Sequence, residues 1–272
     1  MKKFNALFVL ILVFFNACNE PVKNDYVEAF VDHPADFVNP FIGTDAHGHT
    51  YPGASMPFGM VQLSPDTRLE GWDGCSGYHY SDSVVYGFSH TALSGTGIPD
   101  YSDVLFMPTT GQVQLNNGSQ SVDEGYASRF SHDQEKAEAG YYFVHLDDYH
   151  VDVDLTATKR TGFHQYTFKE GGPANVIIDL DHRDKVMDSW IRVTGENKVE
   201  GFRRSTAWAA DQNIYFAAEF SVPFQAYGLT LENLPGEGEF IRGENVKAYF
   251  QFELPEDNRV KVKVGLSAVS AE

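Results

Sequence analysis

Apolar and polar residues alternate along much of this chain in short runs with a period of two. In residues 259–266, for example, three valines and Leu266 share one face of an extended segment, whereas two lysines point to the other. Similar runs occur at residues 141–146, 150–155, 164–168, 176–180, 190–193, 214–220 and 246–254. Turns rich in glycine and proline separate several of them. This succession of short strands predicts an all-β fold, a large antiparallel β-sandwich.

The stretch from residue 37 to residue 108 has a different character. It is dense in Gly, Pro, His, Tyr and Trp, and only residues 60–63 and 104–107 read as clean strands. Ordering so much irregular chain costs conformational entropy, and long ordered loops are usually functional. We therefore expect the functional chemistry of the chain to lie in this stretch.

The first residues of the chain do not fit a globular fold. Two lysines precede an uncharged apolar run at residues 6–15, and a small residue stands directly before Cys18. The run is too short to cross a bilayer, which takes about 20 apolar residues. The pattern predicts a bacterial lipoprotein signal peptide at residues 1–17, with the lipid attached to Cys18. A simple signal peptide that ends near a cysteine is the alternative.

The predicted processing divides the chain into segments. Residues 18–35 form a polar tether, and residues 36–267 form the folded domain. The protein would be an exported lipoprotein of the periplasm or the outer-membrane surface, and the lipid anchor would be its only contact with the membrane. With Cys18 lipidated, Cys75 has no cysteine partner, so a hydrophobic core must stabilise the domain without a disulfide.

The charge balance excludes one class of partner. The chain has 20 Lys and Arg residues against 38 Asp and Glu residues, a net charge of -18 with neutral histidines. Binding to nucleic acid requires a basic surface that neutralises phosphates, and the sequence contains no basic cluster of that kind. We expect no nucleic-acid partner.

Four histidines in the irregular stretch are candidates for metal binding or ligand contact: His47, His49, His79 and His90. Imidazole is a common ligand of transition metals. The spacing of these residues matches no zinc signature, however, and Cys75 is isolated. Histidines that hydrogen-bond the backbone or a ligand are therefore the favoured interpretation, and no metal site is predicted.

The acidic residues allow two further hypotheses. Asp152 and Asp154 share one face of a strand about 6.6 to 6.8 Å apart, near the carboxylate separation of an inverting glycosidase. The simpler interpretation is the solvated face of an edge strand. A calcium site at Asp179, Asp181 and Asp184 would lack the glycine and glutamate of an EF-hand loop, so that pattern is weak.

The third cluster is the loop at residues 71–80, with the sequence GWDGCSGYHY. Its glycines allow the backbone to approach a ligand closely, and it adds an indole, a phenol, a carboxylate and an imidazole. Sugar recognition uses this mixture, because the ring presents a C–H patch and the hydroxyls need polar partners. A tight loop in which Trp72 and Tyr80 anchor the core is an equally good interpretation of the residue types.

Several longer motifs carry a family resemblance. They are VNPFIGT at 38–44, HGHTYPGA at 47–54, PFGMVQLSP at 57–65 and WDGCSGYHY at 72–80. Together with shorter matches downstream, they make the chain resemble the N-terminal domain of glycoside hydrolase family 92 over residues 36 to 266. Motifs this long and numerous make the resemblance specific.

The resemblance implies an exported, calcium-dependent, exo-acting α-mannosidase that inverts the anomeric configuration. In that family an N-terminal β-sandwich packs on a C-terminal (α/α)6 barrel, and the active site lies between them. The barrel supplies the general acid, the general base and most calcium ligands. We therefore expect residues 268–272 to begin a linker to a catalytic barrel that is absent here, and we expect this chain to contain no catalytic residue and to be inactive alone.

The resemblance also assigns substrate-binding residues to the mannose pocket. Trp72 would form its wall and Asp73 would bind a hydroxyl, and the remaining assigned residues are Cys75, Tyr78, His79, His47, His49 and His90. The implied partners are α-mannoside glycans and the C-terminal catalytic domain. The alternative function is a free-standing mannose-binding or carbohydrate-binding module, or a structural surface lipoprotein module.

Overall fold

The computed structural model describes residues 32–271. The predicted signal peptide, the lipidation residue Cys18 and nearly all of the predicted tether lie outside the described residues. No helix within residues 32–271 has the length and apolar character that crossing a bilayer would require. The described part of the chain has three short helices, all of the 3₁₀ type: Pro34–Phe37, Val122–Glu124 and His132–Gln134.

The described chain is built mainly from two large antiparallel sheets. The first has eight strands: β1 (Ala54–Ser55), β2 (Gln62–Asp66), β4 (Gly87–Ser89), β5 (Leu105–Thr110), β11 (Ala174–Asp179), β18 (Val246–Phe252), β15 (Ala226–Leu231) and β16 (Leu234–Pro235), in that spatial order. A small separate sheet pairs β3 (Val84–Val85) with β6 (Ser128–Arg129).

The second large sheet has nine strands. In spatial order they are β17 (Phe240–Gly243), β12 (Lys185–Gly195), β13 (Lys198–Thr206), β14 (Gln212–Phe220), β19 (Arg259–Ser267), β10 (Thr161–Phe168), β9 (Val151–Ala157), β8 (Tyr141–Leu146) and β7 (Glu135–Glu138). The fold is thus the all-β sandwich of antiparallel sheets that the alternation predicts.

The core lies between the inner faces of the two sheets. In β19 every second side chain is buried, from Val260 to Leu266, while the residues between them stay wholly or partly accessible. Alternation of this kind is expected where one face of a sheet packs and the other meets solvent. Strand β11 is different, because all six of its residues are buried in the middle of the eight-stranded sheet.

The acidic face of β9 corrects one expectation. β9 is not an edge strand, because it pairs with β10 on one side and with β8 on the other. Asp152 lies 2.7 Å from His145 Nδ1 and forms an ion pair with Lys169, and Asp154 accepts a hydrogen bond from the Tyr141 hydroxyl at 2.5 Å. The two carboxylates are therefore engaged by their neighbours on the outer face of the sheet.

A buried charged network links the core to the irregular stretch. The guanidinium of Arg203 on β13 is fully buried and donates to Asp103 Oδ1 at 2.5 Å and to the carbonyl oxygen of His182 at 2.8 Å. The ring of His182 contacts Asp66, the last residue of β2, at 2.9 Å. This network fixes the point at which the chain leaves β2 and enters the loop that contains Trp72.

Candidate functional site

The loop at residues 67–80, here called the Trp72 loop, closes on itself directly after β2. The backbone N–H groups of Thr67 and Arg68 both donate to the carbonyl oxygen of Gly77, at 2.7 and 3.0 Å. Gly77 has a φ of +107°, and a Cβ at this position would lie 2.0 Å from Asp66 Oδ1. Only glycine fits this combination of backbone angle and close approach.

Side chains fasten the Trp72 loop to two neighbouring loops. The Cys75 thiol donates to the carbonyl oxygen of Thr96 at 2.6 Å, and the Ser76 hydroxyl donates to that of Thr50 at 2.8 Å. His79 Nε2 lies 3.0 Å from the carbonyl oxygen of Ala46. The loop is therefore held at several points by groups with little access to solvent, which preorganises the side chains that it exposes.

Trp72 is the most prominent of those exposed side chains. It is 64% exposed, and its indole meets the ring of His49 edge to face at a centroid distance of 5.7 Å. The ring also lies over Gly97, where a Cβ would approach it to 2.3 Å. The indole is thus held by two loops while much of its surface remains open to solvent.

His49 contributes an unusual polar atom beside this indole. Its Nδ1 is buried and has no hydrogen-bond partner among residues 32–271. A buried polar atom without a partner costs about 1–3 kcal/mol. A donor or acceptor brought in by a ligand or by another domain would remove that cost.

His47 and Asp73 form an exposed pair next to Trp72 in the chain. His47 Nδ1 lies 2.9 Å from Asp73 Oδ1, and the two side chains are 88% and 33% exposed. The hydrogen bond that His47 donates to Asp73, together with the negative charge of that carboxylate, raises the pKa of His47, and the same hydrogen bond is the main cause of the lowered pKa of Asp73. Exposed pairs add little to stability, so these groups are free to contact a solute.

The other predicted site residues lie beneath this surface. Cys75 and Tyr78 are fully buried, and His79 is 5% exposed. The Tyr78 hydroxyl donates to the buried carboxylate of Glu135 at 2.9 Å, and burial together with that carboxylate raises the pKa of Tyr78. These side chains of the Trp72 loop are buried and anchor the loop to the rest of the protein.

His90 lies in the core, away from the Trp72 loop surface. It is fully buried, with Nδ1 2.6 Å from the carbonyl oxygen of Val104 and Nε2 2.9 Å from His164 Nε2. Burial lowers its pKa to about 4. The structure therefore groups His47, His49, Trp72 and Asp73 near the surface, here called the Trp72 group, and separates His90 from them.

Arg183 is a supporting residue that the sequence did not single out. Its guanidinium donates to the Ser102 hydroxyl at 3.2 Å and reaches the carbonyl oxygen of Gly74 in the Trp72 loop at 3.5 Å. Its backbone has a φ of +70°, which is uncommon for a residue with a side chain. The contact with Gly74 joins residues 109 positions apart and leaves no local signal in the sequence.

The aspartates of the possible calcium site, at positions 179, 181 and 184, do not share one ligand position, and two of them accept hydrogen bonds from different residues. Asp179 accepts from the Tyr126 hydroxyl at 2.7 Å, and Asp184 accepts from the N–H of Tyr101 at 2.7 Å. Burial raises the pKa of Asp184 to about 7. Within residues 32–271, no group of three or more His, Cys, Asp or Glu side chains is arranged to hold a metal ion.

A family model and a curated relative both point to a glycosidase. The model described as the glycosyl hydrolase family 92 N-terminal domain matches residues 37–267. An uncharacterized secreted glycosidase from Arthroderma benhamiae is 26% identical over 259 residues, which cover 87% of this chain and 33% of that protein.

Solved structures extend the agreement to the fold. A family GH92 α-mannosidase from Bacteroides thetaiotaomicron, solved in complex with mannoimidazole, is 37% identical with a TM-score of 0.83. A family GH92 inverting mannosidase from the same organism is 28% identical with a TM-score of 0.75. Each match covers 87% of this chain but only 33% and 32% of the solved chains.

The chain thus spans about one third of the length of the relatives it matches. Within that third, the sandwich of two antiparallel sheets, the family model over residues 37–267 and 37% identity to a solved member all coincide. The chain belongs to glycosyl hydrolase family 92, and its described residues form the N-terminal β-sandwich domain of that family.

Proposed function

We propose that this chain is the N-terminal domain of an exported, inverting, calcium-dependent α-mannosidase, and that its Trp72 group contacts the mannoside. Family membership supports the hydrolase assignment, and the similarity to solved mannosidases supports the substrate class. The single observation that carries the site assignment is the Trp72 indole, which is 64% exposed yet held between His49 and Gly97.

The chemistry of the Trp72 group suits a sugar. An exposed indole face provides apolar surface for the C–H patch of a pyranose ring. The His47–Asp73 pair offers one donor and several acceptor positions for hydroxyl groups beside it. The unpartnered His49 Nδ1 lies next to the same indole and would gain a hydrogen bond from a hydroxyl or from a group of the catalytic domain.

Hydrolysis itself requires groups that we assign to the rest of the enzyme. Inversion needs a general acid and a general base about 6.5–9.5 Å apart, with the glycosidic bond and a water between them. Asp152 and Asp154 are already paired to His145, Lys169 and Tyr141 on the outer sheet face. We therefore propose that the catalytic carboxylates and the calcium ligands belong to a C-terminal (α/α)6 domain and that this chain alone is inactive.

Export and anchoring complete the proposal. The A. benhamiae relative is described as secreted, which supports export. The signal pattern that ends at Cys18 supports lipid attachment, and a surface lipoprotein would place the mannose pocket where extracellular glycans arrive.

The decisive experiment is a 4-nitrophenyl α-mannoside assay in the presence of calcium. This chain alone should give no hydrolysis, and the same chain joined to a family 92 catalytic domain should be active. In the joined protein, Trp72→Ala should lower kcat/KM by about 100-fold, because about 3 kcal/mol of transition-state stabilisation would be lost.

Phe240→Ala is the matched control, because Phe240 is an exposed aromatic residue on β17 whose ring contacts Trp190 and Arg192 rather than a residue of the Trp72 group. It should leave kcat/KM unchanged. Hydrolysis by the chain alone would overturn the proposal that the catalytic groups lie in the C-terminal domain. An unchanged kcat/KM in Trp72→Ala would overturn the assignment of Trp72 to the mannoside site.

A further inference from the structure

The outer face of the nine-stranded sheet carries a concavity of about 630 Å³. Five adjacent strands form it, from β14 through β19, β10 and β9 to β8. None of its lining residues belongs to the Trp72 loop or to the segment that carries His47 and His49. Its volume falls within the range of about 300–1,000 Å³ that is typical of small-ligand sites.

Strand register defines the centre of this groove. Phe163 on β10 is the direct partner of Lys263 on β19 and of Thr156 on β9. In the next row across the same three strands, Gln165 is the direct partner of Lys261 and of Asp154. The residues that alternate with these are buried in the sandwich, so both rows face outward. A half-buried phenyl ring therefore lies among polar side chains.

Hydrogen bonds within the groove fix several of these polar groups. Asp154 accepts from the Tyr141 hydroxyl at 2.5 Å and from the Gln165 amide nitrogen at 3.3 Å. At the other end, Lys263 lies 3.6 Å from Glu219. Polar groups that are ordered before binding reduce the entropy cost of holding a ligand.

The charge of the groove selects the class of ligand. Two lysines, Lys261 and Lys263, balance two carboxylates, Asp154 and Glu219, whereas the chain as a whole has a net charge of -18. A charged ligand would pair with the groove side chains of opposite charge and leave the others without a compensating charge. A neutral polyhydroxylated ligand would meet both donors and acceptors, and the ring of Phe163 would cover its C–H surface.

We propose that this groove is a second carbohydrate site that binds a neutral glycan chain across β8, β9, β10, β14 and β19. The site would hold a glycan independently of the Trp72 group. Only the choice of an α-mannan as the first probe rests on the proposed function. The groove, its charge balance and its central ring do not depend on that proposal.

Affinity electrophoresis of the 272-residue chain in gels that contain yeast α-mannan tests this site. The unaltered chain should be retarded, and Phe163→Ala should raise the Kd at least about tenfold, as expected for loss of a central aromatic contact. Gln165→Leu should weaken retardation in the same direction while keeping the side chain at similar size. Thermal unfolding of each variant shows whether the fold is intact.

A matched control identifies the surface responsible. Phe240→Ala removes an exposed ring from the same outer face but outside the groove. This variant should be retarded like the unaltered chain. Unchanged retardation in both Phe163→Ala and Gln165→Leu, or an equal loss of retardation in Phe240→Ala, would overturn the groove proposal without touching the proposed function.

A second gel series with dextran separates the two proposals. Retardation by dextran and not by mannan, again lost in Phe163→Ala, would support the groove as a neutral-glycan site that does not select mannose. No retardation in either gel would overturn the groove proposal. The mannosidase assay would decide the proposed function in both cases.

Discussion

Gly77 shows at the scale of one residue how the backbone of the Trp72 loop is determined. Its φ is +107°, and its Cα faces the carboxylate of Asp66 so closely that a Cβ would lie 2.0 Å from Oδ1. Asp66 is itself buried in a pair with His182. Gly71 in the same loop has a similar φ of +100°, but nothing lies within 4 Å of its Cβ position.

This pair of glycines gives a controlled prediction. Gly71→Ala should cost about 1 kcal/mol of unfolding free energy, from backbone strain alone. Gly77→Ala should cost about 3 kcal/mol or more, because the methyl group would also displace a buried carboxylate from its partner. Urea unfolding of both variants measures the difference, and equal losses would mean that the contact with Asp66 has no energetic importance.

At the scale of elements, β10 joins the two sheets through a chain of polar side chains. His90 Nδ1 donates to the carbonyl oxygen of Val104, so its Nε2 must accept from His164 Nε2, and His164 Nδ1 accepts from the Tyr166 hydroxyl at 2.8 Å. Both histidines are neutral in this arrangement. Burial lowers the pKa of His90 to about 4 and that of His164 well below its ordinary value.

These shifts predict acid sensitivity. Both pKa values lie below that of about 6.5 in the unfolded chain, so the unfolded state binds more protons as the pH falls. Above about pH 6.5 both histidines are neutral in the folded and the unfolded chain, and their titration does not reduce the free energy of unfolding. As the pH falls towards 4, the free energy of unfolding decreases by up to about 1.4 kcal/mol per pH unit for each histidine.

Urea unfolding between pH 7 and pH 5 measures that slope, with His164→Asn as the comparison. The variant should be less stable at pH 7 but should lose less free energy of unfolding per pH unit, because one buried titrating group is gone. Equal slopes would assign the acid sensitivity to other groups.

At the scale of the whole molecule, the sequence predicts attachment through Cys18, which lies outside the described residues. The other cysteine, Cys75, is buried with its thiol donating to Thr96. Cys18→Ser should therefore abolish incorporation of alkyne-labelled palmitate and release the protein from the membrane fraction of an expressing bacterium. Cys75→Ser should retain both, since serine keeps a donor at that position. Membrane retention by Cys18→Ser would refute the lipoprotein prediction.

Much of the fold could be predicted because alternation is a local property. The predicted run at residues 141–146 coincides with β8, and the run at residues 259–266 lies within β19. Strand β13 was missed, since its inward positions include Gly201, Arg203 and Ser205, which read as polar or small rather than apolar. Arg203 is tolerated there because it donates to Asp103 and to the carbonyl oxygens of Leu180, His182 and Asp184.

The sequence by itself determined the class of fold, the family and the loop that carries the exposed indole, because these follow from local periodicity and contiguous motifs. Only the tertiary structure decided which candidate side chains reach the surface. Trp72 and His49 meet there although 23 positions separate them, whereas His90 is enclosed by Val104 and His164. Burial and partner choice depend on which strands become neighbours, and the inner position of β9 between β8 and β10 depends on the same long-range pairing.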